Sequence, residues 1–170
     1  LLHDLDTENA YGRVPFRDLD LNRPDAEPSD EYASYWSYVD EVIAMAEREG
    51  LYVALVPVWG SVVKHYSTDA ATAERYGQWL GSRYKDRPNV IWLNGGDIHG
   101  SDNTDAWLKL GRALRKAAPE HLMTFHPFGR TKSSTWFHNE DWLDFNMFQS
   151  GHRSYDQMEE DKPDTLVGED

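Results

Sequence analysis

Residues 89–97 read Asn-Val-Ile-Trp-Leu-Asn-Gly-Gly-Asp. From Val90 to Leu93 the side chains are β-branched, aromatic or apolar without a polar interruption, the composition of a strand covered on both faces. The run then stops. Gly95 and Gly96 remove side-chain bulk where the strand ends, and Asp97 follows, with His99 two residues on. In sheets built from parallel strands, ligands gather beyond the carboxyl ends, so a carboxylate behind a glycine pair is a candidate for chemistry. The structural alternative is an aspartate that caps the next helix.

Working outward from this strand, the neighbouring segments alternate in kind. From Ser34, the positions Tyr35, Val39, Val42, Ile43 and Ala46 recur at helical spacing up to Gly50. Leu51 to Val58 reads as a buried strand with Pro57 near its end, and Trp59 and Gly60 open a loop. Thr68 or Asp69 caps a second helix whose inner stripe is Ala73, Tyr76, Leu80 and Tyr84, closed by Pro88. Beyond the central strand a third helix spans about Thr104 to Ala118. Leu122 to His126 is then a short strand, and a polar, basic loop from Gly129 to Ser134 leads to a helical turn around Trp136. The alternation of Leu143, Phe145 and Met147 predicts a further strand ending at Gln149 to His152. One or two helical turns over 155–161 and a last strand, Thr165 to Val167, complete the series. Residues 1 to 33 have no sustained period and read as a long loop with turns at Asn22 to Asp25 and Pro28 to Asp30.

Helices alternating with strands imply parallel pairing through right-handed crossovers. No Gly-x-Gly-x-x-Gly follows any strand, so a fragment of a (β/α)8 TIM barrel is favoured over a doubly wound nucleotide-binding sheet. The 170 residues form one domain, 1–170, and the end at Gly168-Glu169-Asp170 reads as a piece cut from a longer protein, inactive by itself. A net charge of −13 without a basic stripe argues against nucleic acid. The absence of cysteine removes disulfides and thiolate metal ligands. No apolar run reaches membrane-spanning length, and oligomeric state has no signature.

The ends of the strands carry the functional signal. They deliver in turn Trp59; Asn94, Asp97 and His99; His126; Gln149 and His152; and Glu169. In a barrel these ends converge on one face, which sets Asp97 and Glu169 across from each other. Two such carboxylates are what glycosidic cleavage needs, one to protonate the leaving oxygen and one to attack or to activate water. Seven tryptophans and nine tyrosines suit sugar recognition, since aromatic faces pack on the apolar faces of sugar rings. Trp36, Trp79, Trp92, Trp107 and Trp142 fall within or beside core elements. Trp59 and Trp136 lie in loops on the active face and are the candidate sugar platforms. Two other readings stay open: a metal-dependent hydrolase using Asp97, His99, His126, His152 and Glu169 as ligands, and a non-catalytic carbohydrate-binding protein.

Longer ordered motifs run through the chain: Asn9-Ala10-Tyr11-Gly12-Arg13 with Pro15-Phe16, Leu51 to Gly60, Tyr76 to Trp92, Gly95-Gly96-Asp97, Thr124 to Pro127, and Trp142 to His152. Together they resemble the apiosidase-like domain of glycoside hydrolase family 140 over nearly the whole chain. The resemblance implies a (β/α)8 barrel enzyme of pectin-degrading bacteria, periplasmic or secreted, without a cofactor. Its substrates would be the apiose-linked side chains of rhamnogalacturonan II, an oligosaccharide or polysaccharide, cleaved with retention. It further implies that Asp97 is the acid/base and Glu169 the nucleophile; the strand-end and loop residues Trp59, Asn94, His99, His126, Trp136, Gln149 and His152 are the candidate substrate contacts. On this register the chain holds strands 3 to 7. Residues 167–170, Val-Gly-Glu-Asp, depart from the family pattern, which has an Asp before the Gly and a Pro after the Glu.

Overall fold

The computed structural model describes residues 4–27, 33–66 and 68–150. Its organising unit is a parallel sheet of β1 (Val53–Leu55), β2 (Val90–Ile98) and β3 (Met123–Pro127), in that spatial order. Helix α1 (Tyr35–Arg48) leads into β1, α2 (Gly60–His65) and α3 (Ala70–Tyr84) connect β1 to β2, and α4 (Thr104–Ala117) connects β2 to β3. The fold is therefore α/β, with each strand returning through a helix as the alternation predicts.

Local chemistry explains the boundaries. Ser34 caps α1, its hydroxyl accepting from the Ser37 amide at 3.2 Å, and Asp69, not Thr68, caps α3 by accepting from the Thr72 amide at 2.6 Å. That hydrogen bond holds the Asp69 carboxyl below its usual range. Helices α3 and α4 lie against each other at a close approach: a Cβ on Gly77 would stand 2.9 Å from the Leu110 carbonyl oxygen. Beneath them Trp92, Trp107, Trp142, Tyr76 and Phe125 are fully buried. The long N-terminal loop joins this core. Phe16 inserts its ring edge-on between Trp36 and Tyr76, and the Trp36 indole donates to the Pro15 carbonyl at 2.9 Å. At the opposite end of the sheet the His121 ring lies tilted by 30° against Trp92, 5.7 Å between centroids, and burial pushes its imidazole pKa down.

Three expectations need correction. The strand expected over Leu51 to Val58 is confined to Val53–Leu55. After Leu55 the chain turns toward α3, where the buried Tyr76 hydroxyl donates to the Pro57 carbonyl at 2.7 Å. The loop expected to begin at Trp59 is instead capped by that residue and enters α2 at once, because Gly60 permits the first turn to sit directly on β2.

The strand expected across Leu143 to Gln149 is the third. Residues 144–147 run alongside β3, but side chains intercept the ladder. Asp144 accepts from the Met123 amide through its carboxylate at 2.7 Å, Thr124 donates its hydroxyl to the Phe145 carbonyl at 2.6 Å, and the Ser133 hydroxyl lies between the Phe125 carbonyl (2.8 Å) and the Met147 amide (2.8 Å). Regular pairing resumes only as β5 (Phe148–Gln149), antiparallel to β4 (Thr131–Lys132). Between these two strands lies the short helix α5 (Ser134–Phe137), which matches the turn expected at Trp136. The expected helix over 155–161 and the strand Thr165 to Val167 lie outside the described residues.

Candidate active site

The central strand changes character along its length. Up to Gly95 it pairs residue for residue with β3, ending at Gly95 opposite His126, but the next matched pair is Ile98 with Pro127. Gly96 and Asp97 are thus extra on β2, a bulge that turns a side chain out of the sheet. Gly95 and Gly96 adopt φ of +100° and +143°, and Asp97 itself lies at +44°. The glycines are required here for space as well as for angle, since a Cβ on Gly96 would meet the Trp59 ring at 2.5 Å. A left-handed aspartate costs strain that the surroundings must offset, and such sites cluster where function needs them.

The bulge brings Asp97 against residues from two other segments. Its Oδ1 accepts a 2.6 Å hydrogen bond from the Gln149 amide Nε2, which β5 carries in from 52 residues later. Its backbone N–H donates to His126 Nδ1 at 3.3 Å. A ring nitrogen that accepts a hydrogen bond carries no proton on that atom, so the Asp97 amide engages His126 through a bare Nδ1. The Trp59 ring flanks His126 at 5.4 Å between centroids. The Asp97 side chain keeps 37% of its surface exposed, against 16% for His126, so the carboxylate is both held and reachable. Asp97, His126, Gln149 and Trp59, drawn from four segments, therefore form one group.

His99 belongs to a second group on the same rim. Its imidazole stacks on Phe128 at 4.9 Å and meets the edge of Trp136 at 5.6 Å. Gly100 makes room for Trp136 beneath it. Asn94 is elsewhere: its side chain is fully buried and its amide donates to the Trp107 carbonyl at 3.1 Å, fastening α4 to β2. The structure thus places Asn94 in the core, because position 94 shares with Val90 and Trp92 the face of β2 that the helices cover, whereas Ile91 and Leu93 on the other face are only partly buried. His152 and Glu169 lie outside the described residues. Among the described residues no three His, Asp or Glu side chains converge as a metal-ligand set, and no helix is long and apolar enough to cross a membrane.

Sequence reasoning did not single out Phe128 or Ser133. Phe128 is half-exposed beside His99, and its place directly after His126-Pro127 was the available signal. Ser133, buried in a loop whose polar composition suggested solvent, left none.

A family model described as the apiosidase-like catalytic domain matches residues 1–168. The chain belongs to the apiosidase-like family. Two solved structures resemble this apiosidase-like chain: a glycoside hydrolase, 44% identical over 91% of the chain with a TM-score of 0.83, and a protein described as a glycoside hydrolase family 5 member from Bacteroides vulgatus, 44% identical over 92% with a TM-score of 0.84. The chain spans about a third of the length of each, 34%. No curated protein matches it.

Proposed function

We propose that this apiosidase-like chain is the acid/base-bearing part of a (β/α)8 barrel glycosidase that releases apiose-linked side chains from pectin with retention of configuration. The observation that carries the reading is Asp97: a partly exposed carboxylate turned out of a parallel strand by a bulge, held by Gln149 at one oxygen, and set beside an aromatic wall. Family membership supports the sugar substrate.

In this reading Asp97 protonates the glycosidic oxygen while Glu169 attacks the anomeric carbon to form a glycosyl-enzyme. Asp97, now ionised, then takes a proton from the water that releases the sugar. Retention requires the two carboxyl groups about 5–5.5 Å apart, against roughly 6.5–9.5 Å for inversion. Trp59 and Trp136 supply ring faces for the sugar, and His99, His126 and His152 supply hydrogen bonds to its hydroxyls. The test is a screen of the full-length protein against pectic oligosaccharides and aryl glycosides, with Asp97→Asn as the control. Hydrolysis with retained stereochemistry, lost in Asp97→Asn, is the expected result. Sugar binding without turnover identifies a non-catalytic relative instead, and metal-dependent turnover unaffected by Asp97→Asn overturns the two-carboxylate mechanism.

A further inference from the structure

The two oxygens of Asp97 have different surroundings. Oδ1 takes the Gln149 N–H at 2.6 Å. His126 Nδ1 stands 4.0 Å from that same oxygen, but it accepts the Asp97 amide and so has no proton to give. Gln149 is therefore the donor that commits Oδ1 among the described residues, while Oδ2 accepts no hydrogen bond from them.

A carboxyl group bears its acidic proton on one oxygen at a time. An N–H aimed at Oδ1 is accepted more strongly by a carboxylate oxygen or by the carbonyl oxygen of the neutral acid than by its hydroxyl oxygen. The Gln149 contact therefore favours the protonated form of Asp97 with its hydrogen on Oδ2. We propose that Gln149 is a positioning residue of the acid/base: it fixes the Asp97 rotamer and directs its proton to Oδ2, instead of contacting the sugar. The proposal rests on the acid/base reading of Asp97.

Its geometry is well supported from behind. The Gln149 carbonyl accepts from the Arg130 amide and Gln149 pairs with Thr131 across β4 and β5, so the backbone that carries the amide is anchored independently of its side chain. A side chain on a fixed strand places a hydrogen bond more reproducibly than one on a free loop.

Positioning a general acid is distinguished from binding a sugar by leaving-group dependence. A 2,4-dinitrophenyl leaving group departs without protonation, whereas an alkoxide needs the acid. In the full-length protein, Gln149→Met and Gln149→Ala are expected to lower kcat/KM for an alkyl apioside by about 10- to 100-fold. The loss should fall in kcat with KM nearly unchanged, and it should be under about 3-fold for 2,4-dinitrophenyl apioside, with the melting temperature preserved. Equal losses on both substrates with a raised KM would make Gln149 a sugar contact and overturn the proposal. So would unchanged kinetics, or collapse of the fold in both variants. The underlying reading is checked separately: full alkyl apioside turnover by Asp97→Asn removes Asp97 as the acid whatever Gln149 does.

Discussion

The two halves of β2 share one strand and have opposite tasks. Val90 to Leu93 pairs in regular register, with β1 on one side from Val90 to Trp92 and β3 on the other from Trp92, and it buries Trp92 completely. Gly95 to Asp97 adopts three successive positive φ angles, and the register is lost beyond Gly95. The first half lowers the free energy of the fold, and the second holds a carboxylate in a conformation that the chain would avoid if left to itself. The contrast teaches that strain is tolerable at a strand end when the preceding residues are over-determined by packing.

Substitutions on either side of Leu93 should separate these tasks. Trp92→Ala, which empties a site between sheet and helices, is expected to cost about 5 kcal/mol of stability, the upper end for buried aromatic truncation; chemical denaturation of the full-length protein measures it. A loss under about 1 kcal/mol would erase the contrast. Asp97→Asn should do the reverse. Asparagine accepts left-handed backbone readily, so unfolding is expected to stay nearly unchanged while kcat/KM for unactivated glycosides falls by about 10³-fold, roughly 4 kcal/mol on the barrier.

Gly96→Ala crosses the boundary. Its Cβ would meet the Trp59 ring at 2.5 Å and its φ is unfavourable for alanine, so a stability loss of about 1–3 kcal/mol should accompany displacement of Trp59, read as quenched or shifted tryptophan fluorescence and a raised KM. The smallest effect belongs to the regular half and to pH. Because burial lowers the His121 pKa, the unfolded chain binds the proton more readily than the folded one. Stability is therefore complete above about pH 6.5 and declines as pH falls toward the lowered folded value, by no more than about 1.4 kcal/mol per pH unit. Thermal melts at pH 7.5 and pH 5 should differ less in His121→Leu than in the parent.

Most of this was legible in the sequence where a period or a cap imposed itself. The stripe of α3 and the unbroken run into Gly95 are local patterns, and they mark both the core and Asp97. What remained hidden depends on atoms far apart in the chain. That Asn94 is spent on the Trp107 carbonyl, or that Gln149 reaches Asp97, follows from which elements pack together, and no spacing encodes it. The alternation of Leu143, Phe145 and Met147 was real, but Asp144, Thr124 and Ser133 occupy the ladder positions that a periodic rule assigns to backbone.

The Ser133 hydroxyl also bears on the order of events during folding. The contact between Asp97 and Gln149 closes a loop of 52 residues, and closing such a loop costs entropy that only the surrounding contacts recover. Segment 144–147 docks on β3 through Ser133, 14 residues from Met147, so this shorter loop can close first and carry Gln149 most of the way. The Asp97–Gln149 contact is then expected among the last features to appear on refolding. Burial of Trp92 and Trp107 should be regained before activity, and replacing Ser133 by alanine should widen that lag more than it slows the tryptophan signal.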